Sequence, residues 1–142
     1  MGGISNGQAI LEKEGDNFFA RLIGNVSTDN NGGFIQLRST LSFVNLIYNN
    51  KIPRGIRLKT KGNGETYHIF IRTSETKSYS DFYSATFIAN TEWEIIELPF
   101  KNFKHRFSNK LLDGGDIRTF GIVAYGRDFY SDVSVSDIIF YY

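Results

Sequence analysis

A chain of 142 residues, 41% of them apolar and 22% charged, is large enough to bury a core without staples, and its net charge of +1 argues against a general nucleic-acid binder. It contains no cysteine, which removes disulfide frameworks and thiolate chemistry. No apolar run approaches the length of a membrane helix, and the N-terminus lacks the basic-then-apolar pattern of a secretory signal.

Thirteen Phe and eight Tyr against one Trp and one Met favour pleated, half-buried surfaces, and the chain order bears out that bias. Residues 9–14 and 18–23 read as strands around the turn Gly15-Asp16-Asn17. A second turn, Asp29 to Gly33, leads into 34–39, where Ile35 and Leu37 are expected to face a core and Gln36 and Arg38 the other side. Residues 55–72 carry the strongest local signal. Two alternating runs flank Asn63-Gly64, which accepts the positive φ angles of a type I′ turn, so a β-hairpin is expected. Ile56, Leu58, Tyr67, Ile69 and Ile71 form its apolar face; Arg57, Lys59, His68 and Arg72 point the opposite way. Strands follow at 82–88, 93–98, 118–125 and 133–141. Phe103, Phe107 and Leu111 recur every four residues, which reads as a loop with a turn or two of helix capping one end. Short strands with turn signals every 8–15 residues or so give an all-β fold, a sandwich or jelly roll in preference to a barrel.

Catalytic chemistry is poorly supplied. His68 and His105 are the only histidines, and neither has a further histidine or a cysteine at ligand spacing. Asp113-Gly114-Gly115-Asp116 and Asp29-Asn30-Asn31 carry oxygen ligands that suit calcium, yet the same residues serve turns for conformational reasons, so no cofactor is expected. No Gly-x-Ser-x-Gly elbow is present. Gly62-Asn63-Gly64 has no helix behind it to hold a phosphate. Glu94 and Glu97 have opposite parity on one strand and cannot flank one glycosidic bond.

Binding chemistry is better represented. Residues 51–77 hold seven Lys or Arg against two Glu, while 78–142 hold six against nine Asp or Glu. Arg38, Arg57, Lys59, His68 and Arg72, with Tyr79, Tyr83 and Trp93, combine forked donors with aromatic faces. That set suits sugar rings or an acidic protein surface. A solvated sheet face with long cationic side chains lying along it is the plainer account of each residue taken singly.

The ordered motifs carry a resemblance. Met1-Gly2-Gly3-Ile4-Ser5, Gly32-Gly33-Phe34 with Arg38, Gly55 to Tyr67, Ile71-Arg72, the Tyr83–Phe87 strand, Trp93 to Phe100 with Phe103, Ile117 to Ile122, and Asp137-Ile138 follow one another. Together they resemble the complex I intermediate-associated protein family over nearly the whole chain. This resemblance implies one jelly-roll sandwich of the galactose-binding type over residues 1–142, similar to carbohydrate-binding modules, with the family's first strand lacking. It also implies a non-enzymatic assembly role with protein partners such as respiratory-complex subunits. A glycan on the sheet face is the alternative. Arg38, Arg72 and Tyr83 carry over as the candidate binding face, with His68 and Arg57 beside them. Neither nucleic acid nor membrane insertion is expected. A compact bacterial, cytoplasmic member is the expectation, or the mitochondrial matrix for a eukaryotic one.

Overall fold

The computed structural model describes residues 6–27, 34–40, 50–76, 78 and 81–142. Ten strands are present among them: β1 Asn6–Glu14, β2 Asn17–Val26, β3 Phe34–Thr40, β4 Gly55–Gly62, β5 Thr66–Thr73, β6 Tyr83–Ile88, β7 Glu94–Pro99, β8 Lys104–His105, β9 Ile117–Tyr125 and β10 Phe129–Tyr141. They form two antiparallel five-stranded sheets, ordered β1-β2-β10-β4-β7 and β3-β9-β5-β6-β8. This is the jelly-roll β-sandwich that the alternation calls for.

Register explains the core. In the first sheet Val133 lies opposite Leu22, and Ile96 opposite Leu58. In the second, Ile122 lies opposite both Leu37 and Ile69, while Tyr67 faces Phe87. Because side chains alternate, these rows turn inward together, and Leu22, Ile56, Leu58, Tyr67, Ile69, Ile71, Ile122 and Val133 are almost wholly buried. Burying such side chains stabilises the fold by about 1.5–3 kcal/mol each before chain entropy is subtracted.

The hairpin expected at 55–72 does not form. β4 and β5 lie in different sheets, so the Asn63-Gly64 link crosses from one layer to the other. Only Gly64 of that pair has positive φ, at 81°. The backbone N–H groups of Gly62 and Gly64 instead donate to the carbonyls of Asn90 and Ala89, at 2.7 Å each. Those residues join β6 to β7, which also cross between sheets. Two adjacent crossings thus satisfy each other's backbone groups, and that competes successfully with local pairing. The Asn63 side chain pins the link further, donating to the Tyr130 carbonyl at 2.8 Å and accepting the Tyr67 hydroxyl at 2.6 Å.

Residues 100–112 hold one 3₁₀ turn, Phe100–Asn102, followed by the two-residue β8. Phe103 is buried, whereas Phe107 and Leu111 are exposed, so the every-fourth-residue spacing does not mark a packed face. The Asp113–Asp116 segment is a turn. Asp113 Oδ1 accepts the Gly115 N–H, and Asp116 accepts the Ser74 hydroxyl and pairs with Arg118. Met1 to Ser5, Asp29 to Asn31, Gly33 and Tyr79 lie outside the described residues.

Candidate functional site

Alternation sends a second set of side chains outward on each sheet, and the two outer faces differ. On the β3-β9-β5-β6-β8 sheet, Gly121 sits mid-strand between Arg38 of β3 and Phe70 of β5. One step away, Val123 lies between Gln36 and His68, and Arg72 is opposite Thr119. Phe34 is opposite Tyr125. Gly121 leaves a dip there: an added Cβ would meet the Leu37 carbonyl at 3.3 Å and the Gln36 side chain at 3.4 Å.

Around the dip the packing is aromatic, with Phe70 and Phe82 buried and Tyr125 partly open. Phe70 stacks on Phe82 with centroids 3.9 Å apart, and Tyr125 meets both Phe70 and His68 edge-on. Phe70, Phe82 and Val123 form a buried cluster of their own, separate from the sandwich core. Arg72 and Arg106 lay their guanidinium groups over Phe82, at 5.6 and 5.2 Å. Burial, with Arg127 adding like charge, pushes the His68 imidazole pKa down. Arg38, Arg106 and Tyr125 are the exposed members.

Three of the five residues singled out in the sequence therefore share this face: Arg38, His68 and Arg72. The other two do not. Tyr83 turns into the sandwich core, 6% exposed, with its ring 4.8 Å from that of His105. Arg57 lies on the outer face of the other sheet, where its guanidinium pairs with Glu97 at 2.6 Å. Each correction has its own cause: Arg57 is displaced because β4 and β5 are in separate layers, and Tyr83 turns inward because it has core parity opposite Ile71.

The outer face of the β1-β2-β10-β4-β7 sheet carries residues that sequence reasoning did not assemble. Arg21 donates to both carboxylate oxygens of Asp132 at 2.8 Å and also reaches Glu12 at 3.4 Å. This forked pairing pushes the guanidinium pKa up. Lys61 bonds Glu14 at 3.0 Å and stands 5.1 Å from the Trp93 ring and 5.7 Å from Phe19. Lys61 and the Trp93 indole N–H hold the Glu14 carboxyl below its ordinary range. Phe19 braces Trp93 edge-on at 5.3 Å. Two grooves flank this group. One, of about 460 Å³, is lined by Asn17, Lys59, Trp93, Glu94, Ile95 and Ser136. The second, of about 370 Å³, includes Glu12, Glu14, Arg21, Lys61 and Asp132. No sequence signal links these residues, because β2, β4, β7 and β10 meet only through long-range pairing.

A third cluster joins Asp81, His105 and Ser108. The His105 Nε2 lies 2.6 Å from the Asp81 carboxylate, and Nδ1 lies 2.8 Å from the Ser108 hydroxyl. Ser108 is three residues from His105, and its oxygen also accepts the Lys110 N–H at 3.1 Å. The cluster closes a turn and ties it to the segment before β6. Among the described residues no group of three potential metal ligands occurs, and no helix is long and apolar enough to cross a membrane.

The family model for complex I intermediate-associated protein 30 matches residues 1–131. No curated protein matches the sequence. Among solved structures, the chain is similar to the family 11 carbohydrate-binding module of a Clostridium thermocellum cellulosomal cellulase, at 14% identity and a TM-score of 0.78, covering 99% of this chain and 84% of that one. The same module in complex with a β-1,3-1,4-mixed-linked tetrasaccharide gives 15% identity and a TM-score of 0.77, with 99% and 85% coverage. A family 30 carbohydrate-binding module of a cellulosomal cellulase from Clostridium thermocellum gives 15% identity and a TM-score of 0.57, with 97% and 91% coverage. At such identities the likeness is one of fold.

Proposed function

Since this chain belongs to the complex I intermediate-associated protein 30 family, we propose that it is a non-catalytic binding domain that helps assemble a larger respiratory-type complex, by docking a partner protein on the outer face of the β3-β9-β5-β6-β8 sheet. One observation carries the reading: Arg38, His68 and Arg72 share that face with a packed aromatic cluster around the Gly121 dip. Exposed Arg38 offers a forked donor to a carboxylate, and Tyr125 offers a rigid edge to an anchoring side chain. Arg72, 6% exposed, supports the face from below. A partner segment that pairs an acidic with an aromatic side chain fits this surface.

A glycan on the same face is the second reading. It is favoured by the partly open ring of Tyr125 and by the likeness in fold to carbohydrate-binding modules, one of them solved with a tetrasaccharide.

The test uses the Arg38→Glu, Tyr125→Ala double variant, with its melting temperature measured alongside because the Tyr125 ring also packs on His68 and Phe70. Affinity capture from source-cell lysate, read by quantitative mass spectrometry, should enrich respiratory-complex subunits with the parent and lose them with the variant. Equal enrichment by both would remove the partner site from this face. Retardation of the parent alone in polysaccharide gels, without subunit enrichment, would favour the glycan.

A further inference from the structure

The opposite outer face, unused by the proposed function, has its own chemistry. Its cations near the groove are paired in place: Arg21 by Asp132 and Glu12, Lys61 by Glu14, and Lys59 by Asp137 at 3.5 Å, while Glu94 accepts from the Asn90 amide. A charged ligand competes with these pairs for its partners, and an anion also meets the excess of carboxylates. A neutral ligand rich in hydroxyl groups meets no such cost. Each paired carboxylate keeps spare acceptor lone pairs, and the lysine ammonium groups keep spare donors.

Beside these pairs stands the only tryptophan in the chain. Trp93 is held from several directions, by Phe19 edge-on, by the Lys61 ammonium and by the Glu14 carboxylate. A ring fixed in that way loses little freedom when a ligand settles against it. The groove it walls measures about 460 Å³, within the range of sites that hold small ligands. Ile95 adds apolar surface, while Asn17, Glu94, Lys59 and Ser136 supply polar groups of both senses around it. A flat apolar wall with donors and acceptors at its edge matches a pyranose ring, whose faces carry C–H groups and whose rim carries hydroxyls.

From this arrangement we infer that the outer face of the β1-β2-β10-β4-β7 sheet holds a second binding site, selective for a neutral saccharide seated against Trp93 between Lys59 and Ser136. It is independent of the partner face, which lies on the far side of the sandwich.

A single tryptophan makes the test direct, since all indole emission comes from this end of the sheet. The intact protein is titrated with neutral gluco-, manno- and xylo-hexasaccharides, with citrate and inorganic phosphate as ionic comparators. At least one neutral saccharide should change the emission saturably. Ser136→Phe, which fills the groove, should weaken that saccharide at least about tenfold by calorimetry. Arg38→Glu, Tyr125→Ala should leave it unchanged, and that separates this site from the partner face. If Ser136→Phe fails to fold, Ile95→Arg serves instead, because Ile95 is 61% exposed and carries little of the core. The inference is overturned if no neutral saccharide binds up to on the order of 10 mM, if only the anions bind, or if binding survives the groove substitution in a folded variant. Binding abolished by the Arg38→Glu, Tyr125→Ala variant would likewise overturn it.

Discussion

Tyr67 shows how one side chain can hold an end of the sandwich. Its ring is fully buried, its hydroxyl donates to Asn63 at 2.6 Å, and the Asp132 backbone N–H donates to it at 2.9 Å. Tyr67→Phe leaves that N–H and the Asn63 acceptor without this partner, so we expect a loss of about 1–3 kcal/mol in denaturant unfolding. Burial raises the phenol pKa to about 12 from an ordinary 10.0. The raised value adds stability that is complete below pH 10 and disappears as pH climbs through about 12. His68 works in the other direction. Its folded pKa lies below the ordinary 6.5, so its contribution is complete above pH 6.5 and is lost as pH falls through the lower folded value. Replacing it with Gln should flatten that part of the melting-temperature profile, while a parallel shift at every pH would mean that protonation plays no part.

At the scale of elements, the strands were legible in the sequence because a two-residue period survives whatever the strand pairs with. β2, β3, β6, β7, β9 and β10 all fall where alternation places them, within a few residues. Pairing was not legible. Asn63-Gly64 has the composition of a tight hairpin, and only the neighbouring Ala89 and Asn90 carbonyls, far away in sequence, make it a crossover. The candidate site divided along the same line. Arg38, His68 and Arg72 share parity with respect to a single sheet and came together, whereas Arg57 was tied to them by a hairpin that does not exist. Gly62 belongs to this crossover as well: a Cβ there would stand 2.6 Å from the Asp132 carbonyl and 2.7 Å from the Ala89 methyl. Gly62→Ala should therefore destabilise the protein by about 1–3 kcal/mol in chemical denaturation, through overpacking. An unchanged midpoint would show that the crossing can shift to make room.

Across the whole molecule, the order of strands in space differs sharply from their order in the chain. β10 pairs with both β2 and β4, and β9 with both β3 and β5, so each sheet is joined by an interior strand from residues 117–141. Growth on the ribosome is vectorial, so β2, β3, β4 and β5 each keep at least one edge unpaired until residues 117–141 emerge. During that interval the open edges of the nascent protein are templates for unwanted pairing. Refolding in dilute solution should be correspondingly slow, on a scale of milliseconds to seconds, because little of the fold can form before its two ends meet. Omitting 129–141 should abolish cooperative unfolding altogether, leaving a species that binds hydrophobic dye; a sharp transition in that shortened chain would mean that the first sheet closes by some other route.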